Sequence, residues 1–219
     1  MRHFDEQLQD LLHRITLMAS LAESMIDSAI RCLVERDEKL AGEVFEHEHE
    51  VNRLQVEIDE TAVRLTALQA PVAADVRLLF MASRIASELE RIGDQAVNIC
   101  ENAKVVLSQP PLKPLVDTPI MAQIVRKMVR DAISAMIKRD VDLAEQVLEE
   151  EKKVDAFKDQ IFRTLLTYMM ADPATIPRAL ALILISRNLE RIGDHATNIA
   201  EEAVYIVQGR DIRHPADVR

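Results

Sequence analysis

Two segments of this 219-residue chain repeat one pattern of three carboxylates and an amide: Glu90, Asp94, Asn98 and Glu101 recur as Glu190, Asp194, Asn198 and Glu201. On a helix turning about 100° per residue, these positions point at about 0°, 40°, 80° and 20°, a single narrow stripe. Like charges stacked on successive turns repel by a few tenths of a kcal/mol per i,i+4 pair, so such a stripe needs a compensating positive charge. A further polar pair lies upstream of each stripe, Glu48 and Asn52 in one case and Glu151 and Asp155 in the other. Two helices presenting these groups side by side offer an oxygen-rich ligand set. That set suits magnesium, calcium, manganese or oxidised iron, with zinc also compatible. The candidate metal ligands are therefore Glu48, Asn52, Glu90, Asp94 and Glu101 in the first copy, and Glu151, Asp155, Glu190, Asp194 and Glu201 in the second. The competing reading is a solvated face, the ordinary fate of an isolated E-x-x-x-D on an acidic helix. Duplication of the whole stripe weighs against it.

Other chemistry is sparse. Glu46-x-x-His49 has the spacing of a di-iron carboxylate motif, which would make the chain a metal-dependent helical enzyme. That chemistry needs a second copy of the motif, and residues 149–152 read Glu-Glu-Glu-Lys. No Ser/His/Asp or Cys/His arrangement stands out, and no Gly-rich phosphate loop is present, so no catalytic residue is assigned. His195 has Gln95 as its counterpart and is expected to face solvent, while Arg91 and Arg191 suggest ordinary surface ion pairs with Glu88 or nearby acids. Cys32 and Cys100 match no metal or redox spacing and are expected to be small buried apolar residues. With 27 basic against 37 acidic residues, the net charge is −10. Such a surface repels nucleic acid and anionic lipid, and receives phosphate poorly unless bound cations reverse the local charge.

The elements that must hold these groups are helices. Gly is scarce (4), Trp is absent and aromatic residues make up 3% of the chain, a composition unsuited to β-rich or nucleotide-binding α/β folds. Leu78, Ala82, Ile85, Leu89, Ile92, Ala96, Ile99, Ala103 and Val106 are separated alternately by four and three residues. Leu182, Ile185, Leu189, Ile192, Ala196, Ile199, Ala203 and Ile206 continue that alternation in the second copy. Such seams, joined by short connections, predict antiparallel helices packed in bundles. Prolines, the Arg36-Asp37 and Arg139-Asp140 breaks and the closing Gly209 place helices at roughly 5–36, 38–69, 74–108, 120–138, 141–170 and 176–208.

The halves are copies. Leu89-Glu90-Arg91-Ile92-Gly93-Asp94 recurs 100 residues later, and Arg36-Asp37, Leu40-Ala41, Glu48 and Val51 recur 103 residues later. The fold expected is all-α, two tandem three-helix bundles related by a pseudo-two-fold. The first bundle is assigned to residues 1–108, a proline-rich linker to 109–119, the second bundle to 120–209 and a tail to 210–219. Each half has its own seam, so residues 1–108 alone are expected to form a soluble helical fragment. Gly93 and Gly193, mid-helix at matching positions, suggest close approach of a neighbouring helix. The N-terminus has no apolar signal-peptide core, and the apolar run Ala179–Ser186 is far below the ~18 residues of a membrane span, so a cytoplasmic protein is expected.

The duplicated unit, its twin L-E-R-I-G-D segments running on to Asn98-Ile99 and Asn198-Ile199, and Thr167-Tyr168-Met169-Met170 together resemble the PhoU family of phosphate-uptake regulators. The likeness covers essentially the whole chain, including Asp211-Ile212-Arg213-His214. The resemblance implies a non-enzymatic negative regulator of phosphate uptake and of the phosphate-starvation regulon. It further implies an adaptor between a Pst-type phosphate ABC transporter and a PhoR-type sensor kinase, often homodimeric, at the inner face of the membrane and in contact with it only through partners. In some members the motifs matched by Glu90/Asp94 and Glu190/Asp194 hold multinuclear metal clusters, with iron, zinc, manganese or magnesium the ions to consider. Asn52, where the second copy has Asp155, breaks the symmetry. One extra carboxylate is expected to give the second copy the stronger attraction for cations.

Overall fold

The computed structural model describes residues 2–69 and 71–212. Six long helices account for nearly all of it: α1 (Arg2–Glu35), α2 (Lys39–Gln69), α3 (Ala73–Leu107), α4 (Asp117–Lys138), α5 (Val141–Ala171) and α6 (Ile176–Gln208). A single 3₁₀ turn, Pro173–Thr175, joins the last two. The heptad positions of α3 and α6 are all buried. Full burial of each Leu or Ile contributes about 1.5–3 kcal/mol, which outweighs the modest propensity cost of the β-branched residues in these seams.

Helices α1–α3 form one three-helix bundle and α4–α6 the other. The bundles are joined through α3 against α6 and α1 against α4, which leaves α2 and α5 on the flanks. Arg84 of α3 pairs with Glu202 of α6, while Glu88 meets Asn198 and His195, so the two central helices run antiparallel. That is the geometry a pseudo-two-fold axis near Ile92 and Ile192 requires. Across α1 and α4, Arg126 pairs with Asp27 and Arg130 with Glu23. Buried apolar residues from all six helices form one continuous core.

The breaks follow local rules. Asp140 caps α5, its carboxylate accepting the Leu143 N–H at 3.0 Å, and Asp37 accepts the Lys39 N–H ahead of α2. The preceding arginines, Arg36 and Arg139, adopt left-handed φ of 58° and 55° to end α1 and α4. Gly209 closes α6 with φ 66°. Helix α4 begins at Asp117, earlier than the proline at 119 suggests, because first-turn N–H groups have no intrahelical acceptor and Pro119 costs nothing there. A Cβ built on Gly93 would meet Met25 Cε at 3.3 Å, and one on Gly193 would meet Val154 Cγ1 at 3.4 Å. Both glycines thus mark close helix approach. The tail residues 213–219, with Arg213 and His214, lie outside the described residues.

Candidate functional site

Adjacent helices bring most of the acidic residues together in two clusters. In the first, half-buried Glu48 of α2 and exposed Asp94 of α3 both act on half-buried Glu90, and half-buried Asn52 lies one turn beyond Glu48 on α2. Burial, and then Asp94 and Glu48, push the Glu90 carboxyl above its ordinary range, with Arg91 and His195 opposing. The Asn52 side-chain oxygen is buried and accepts no hydrogen bond. A hard cation or a water would satisfy that oxygen, and the donors of this cluster are oxygens of the type a hard cation takes. Glu101, exposed on α3, lies seven residues beyond Asp94. At about 1.5 Å rise per residue it is about 10 Å further along the helix and does not share one ion with Asp94. Glu201 stands in the same relation to Asp194.

The second cluster is organised differently. Lys158 of α5 donates to Asp155 Oδ1 at 2.8 Å and to Glu190 Oε1 of α6 at 2.9 Å. Burial, then Asp194, Asp155 and Glu190, raise the Glu151 carboxyl. Burial and Glu190 raise Asp194, against the pull of His195 and Lys158. Both hydrogen-bonded carboxylates hold the Lys158 ammonium well above its usual range. The residue at the matching position of the first copy is Gln55, just as Asn52 matches Asp155. The extra carboxylate of the second copy thus arrives with an extra ammonium, and the expected advantage in negative charge is cancelled within the cluster. Among the described residues, no three His, Cys, Asp or Glu side chains are gathered so as to hold a metal ion.

Between the two clusters, on the α3–α6 seam, sits a polar group that sequence reasoning placed elsewhere. His195 is half-buried, its Nδ1 2.7 Å from Glu88 Oε2, and not solvent-facing as expected. Asn198 Nδ2 donates to the same oxygen at 3.0 Å, whereas the expected Arg91–Glu88 pair is long at 3.4 Å. Burial works against ionisation of Glu88, yet the bonds from His195 and Asn198 hold its carboxyl below the ordinary range. The pair follows from the bundle–bundle contact, which no local spacing encodes. The Lys158 bridge did leave a signal: Asn52 and Gln55 change together to Asp155 and Lys158, an i,i+3 charge pair.

Glu46 and His49, the would-be di-iron pair, are both exposed on α2. Cys32 and Cys100 are free and buried, and burial pushes the Cys100 thiol up to about 12. No helix among the described residues is long and apolar enough to cross a membrane.

A family model, the PhoU domain, matches residues 15–103 and again 118–203. The chain is 39% identical over 215 residues to the phosphate-specific transport system accessory protein PhoU homolog of Pseudomonas putida, covering 97% of this chain and 84% of that protein. It is 37% identical to the phosphate-specific transport system accessory protein PhoU of Escherichia coli, covering 96% and 88%. The crystal structure of PhoU from Pseudomonas aeruginosa superposes with a TM-score of 0.90 at 37% identity, over 94% of this chain and all of that one. The phosphate transport system regulatory protein PhoU from Streptococcus pneumoniae shares the fold, with a TM-score of 0.87 at 23% identity over 96% of this chain and all of that one.

Proposed function

Because the chain belongs to the PhoU family, we propose that it is a cytoplasmic adaptor between a Pst-type phosphate transporter and a PhoR-type sensor kinase. In that role it holds phosphate uptake and the phosphate-starvation regulon down when phosphate is plentiful. The family is one of phosphate-transport accessory and regulatory proteins, not enzymes. The observation that carries the adaptor reading is an uncovered apolar face. Phe162, Leu166 and Met170 of α5 and Ile176, Leu180 and Leu184 of α6 are all exposed, each trio spaced by four residues along one helix face. The two helices are antiparallel neighbours across a short turn, which brings the two trios to the same end of the second bundle. On a chain of net charge −10, such an apolar strip is a surface from whose burial a protein partner or a second copy gains on docking. The same strip suits the homodimer expected of the family.

A hard divalent ion belongs to this reading at the first cluster, where it would draw together Glu48, Asn52, Glu90 and Asp94, whose acidic side chains stand apart in the structure. It would supply positive charge that relieves their repulsion and lets an acidic surface receive anions. The experiment uses a strain lacking the protein and a phosphate-starvation reporter. Deletion is expected to leave the reporter on in rich phosphate, and the wild-type chain to switch it off. Leu166→Asp combined with Leu180→Asp is expected to fail while remaining helical and monodisperse. A reporter unaffected by deletion overturns the regulatory role, and full complementation by the double variant removes the apolar strip from it.

A further inference from the structure

The second acidic cluster already contains a cation. Lys158 reaches from α5 between Asp155 and Glu190, using two of its three N–H donors at 2.8 and 2.9 Å. Its side chain is 26% exposed, and the two ion pairs hold the ammonium at the α5–α6 boundary. Glu151 and Asp194 complete the group, both electrostatically coupled to the carboxylates that Lys158 binds. A divalent ion bridging α5 and α6 through Asp155 Oδ1 and Glu190 Oε1, the oxygens that Lys158 holds, would have to occupy the same space, with oxygens at about 2.0–2.6 Å. It would first have to expel Lys158, breaking both ion pairs and leaving an ammonium beside a dication. At the matching place in the first cluster stand Gln55 and Asn52, which are neutral, and the Asn52 oxygen is left without a donor.

We infer that Lys158 is the resident counter-cation of the second cluster and closes it to metal ions, so that the two homologous carboxylate stripes are not equivalent cation sites. This inference goes beyond the adaptor reading and uses the cation reading of the first cluster only as its internal control. It reverses the order expected from counting carboxylates: the ammonium cancels the charge that Asp155 adds and also occupies the place between Asp155 and Glu190.

The test is Lys158→Gln, which places in the second copy the residue that the first copy has at 55. Mn2+ is titrated into the chelator-treated full-length chain, with bound ions counted by electron paramagnetic resonance and unfolding followed by thermal melts. Lys158→Gln is expected to lower the apo melting temperature, to bind one further Mn2+ per chain at least tenfold more tightly than the wild type does at that cluster, and to recover its melting temperature when Mn2+ is added. Glu190→Gln is expected to leave the wild-type ion count unchanged and to abolish the ion gained by Lys158→Gln. Asp94→Asn reports on the first cluster alone. If the wild type loses an ion on Asp94→Asn while Lys158→Gln gains none, the inference is overturned and the first-cluster reading stands. Loss of a wild-type ion on Glu190→Gln, or no Mn2+ bound to any variant, also overturns it.

Discussion

At the residue scale, the acidic clusters show how burial and like charge act together on a carboxylate. Glu90 is held above the ordinary range first by desolvation and then by Asp94 and Glu48. A carboxyl raised in the folded state is stabilising while protonated, below its unfolded pKa, and that contribution is lost as pH rises through the folded value. At neutral pH the ionised Glu90 is therefore a small net liability in the metal-free protein. Glu90→Gln is expected to raise the metal-free melting temperature at pH 7. The gain is a few tenths of a kcal/mol once solvent screening of this half-buried group is allowed for. At pH below the ordinary carboxylate range the difference should vanish. Equal melting temperatures at pH 7, or a difference that persists in acid, would contradict the repulsion argument. Glu88 is the opposite case: a more deeply placed carboxylate kept charged by two cross-helix donors, His195 and Asn198.

At the scale of the element, the helix ends separate two arginines that the repeat makes formally equivalent. Both Arg36 and Arg139 sit in the left-handed region, which costs a residue with a side chain about 1 kcal/mol relative to glycine. Arg36 recovers that cost by donating to the carbonyls of Leu107 and Gln109, each at 2.8 Å, tying the end of α1 to the end of α3. Arg139→Gly is accordingly expected to stabilise the protein by up to about 1 kcal/mol in urea denaturation. Arg36→Gly removes two hydrogen bonds worth about 1 kcal/mol each and is expected to be neutral or destabilising. Equal shifts in the two variants would show that the Arg36 bonds contribute nothing in solution.

For the whole molecule, the decisive feature is that the two bundles share a core. Helix α3 buries Met81, Gln95 and Cys100 in addition to its seam, and α6 buries Ser186, Thr197, Ala200 and Glu202 in addition to its own. A second buried face on each central helix is what bundle–bundle packing produces. Residues 1–108 alone would uncover the α3 face that α6 covers. The fragment is therefore expected to stay helical by circular dichroism but to self-associate, and to form a one-to-one complex when co-expressed with residues 109–219. A monodisperse, cooperatively melting monomer would show instead that each repeat is an independent unit. Helix positions, the duplication and the two carboxylate stripes were all readable in the sequence, because 3.6-residue periodicity, capping residues and repeat offsets are local properties of a chain. The Asp155–Lys158 pair was readable too, as a charge-matched departure from Asn52 and Gln55. Its reach to Glu190, the burial of His195 against Glu88 and the apolar strip shared by α5 and α6 were decided by tertiary structure. Each depends on the rotation of one helix about its axis relative to a neighbour, and a turn of about 100° per residue leaves that rotation to the packing of the core.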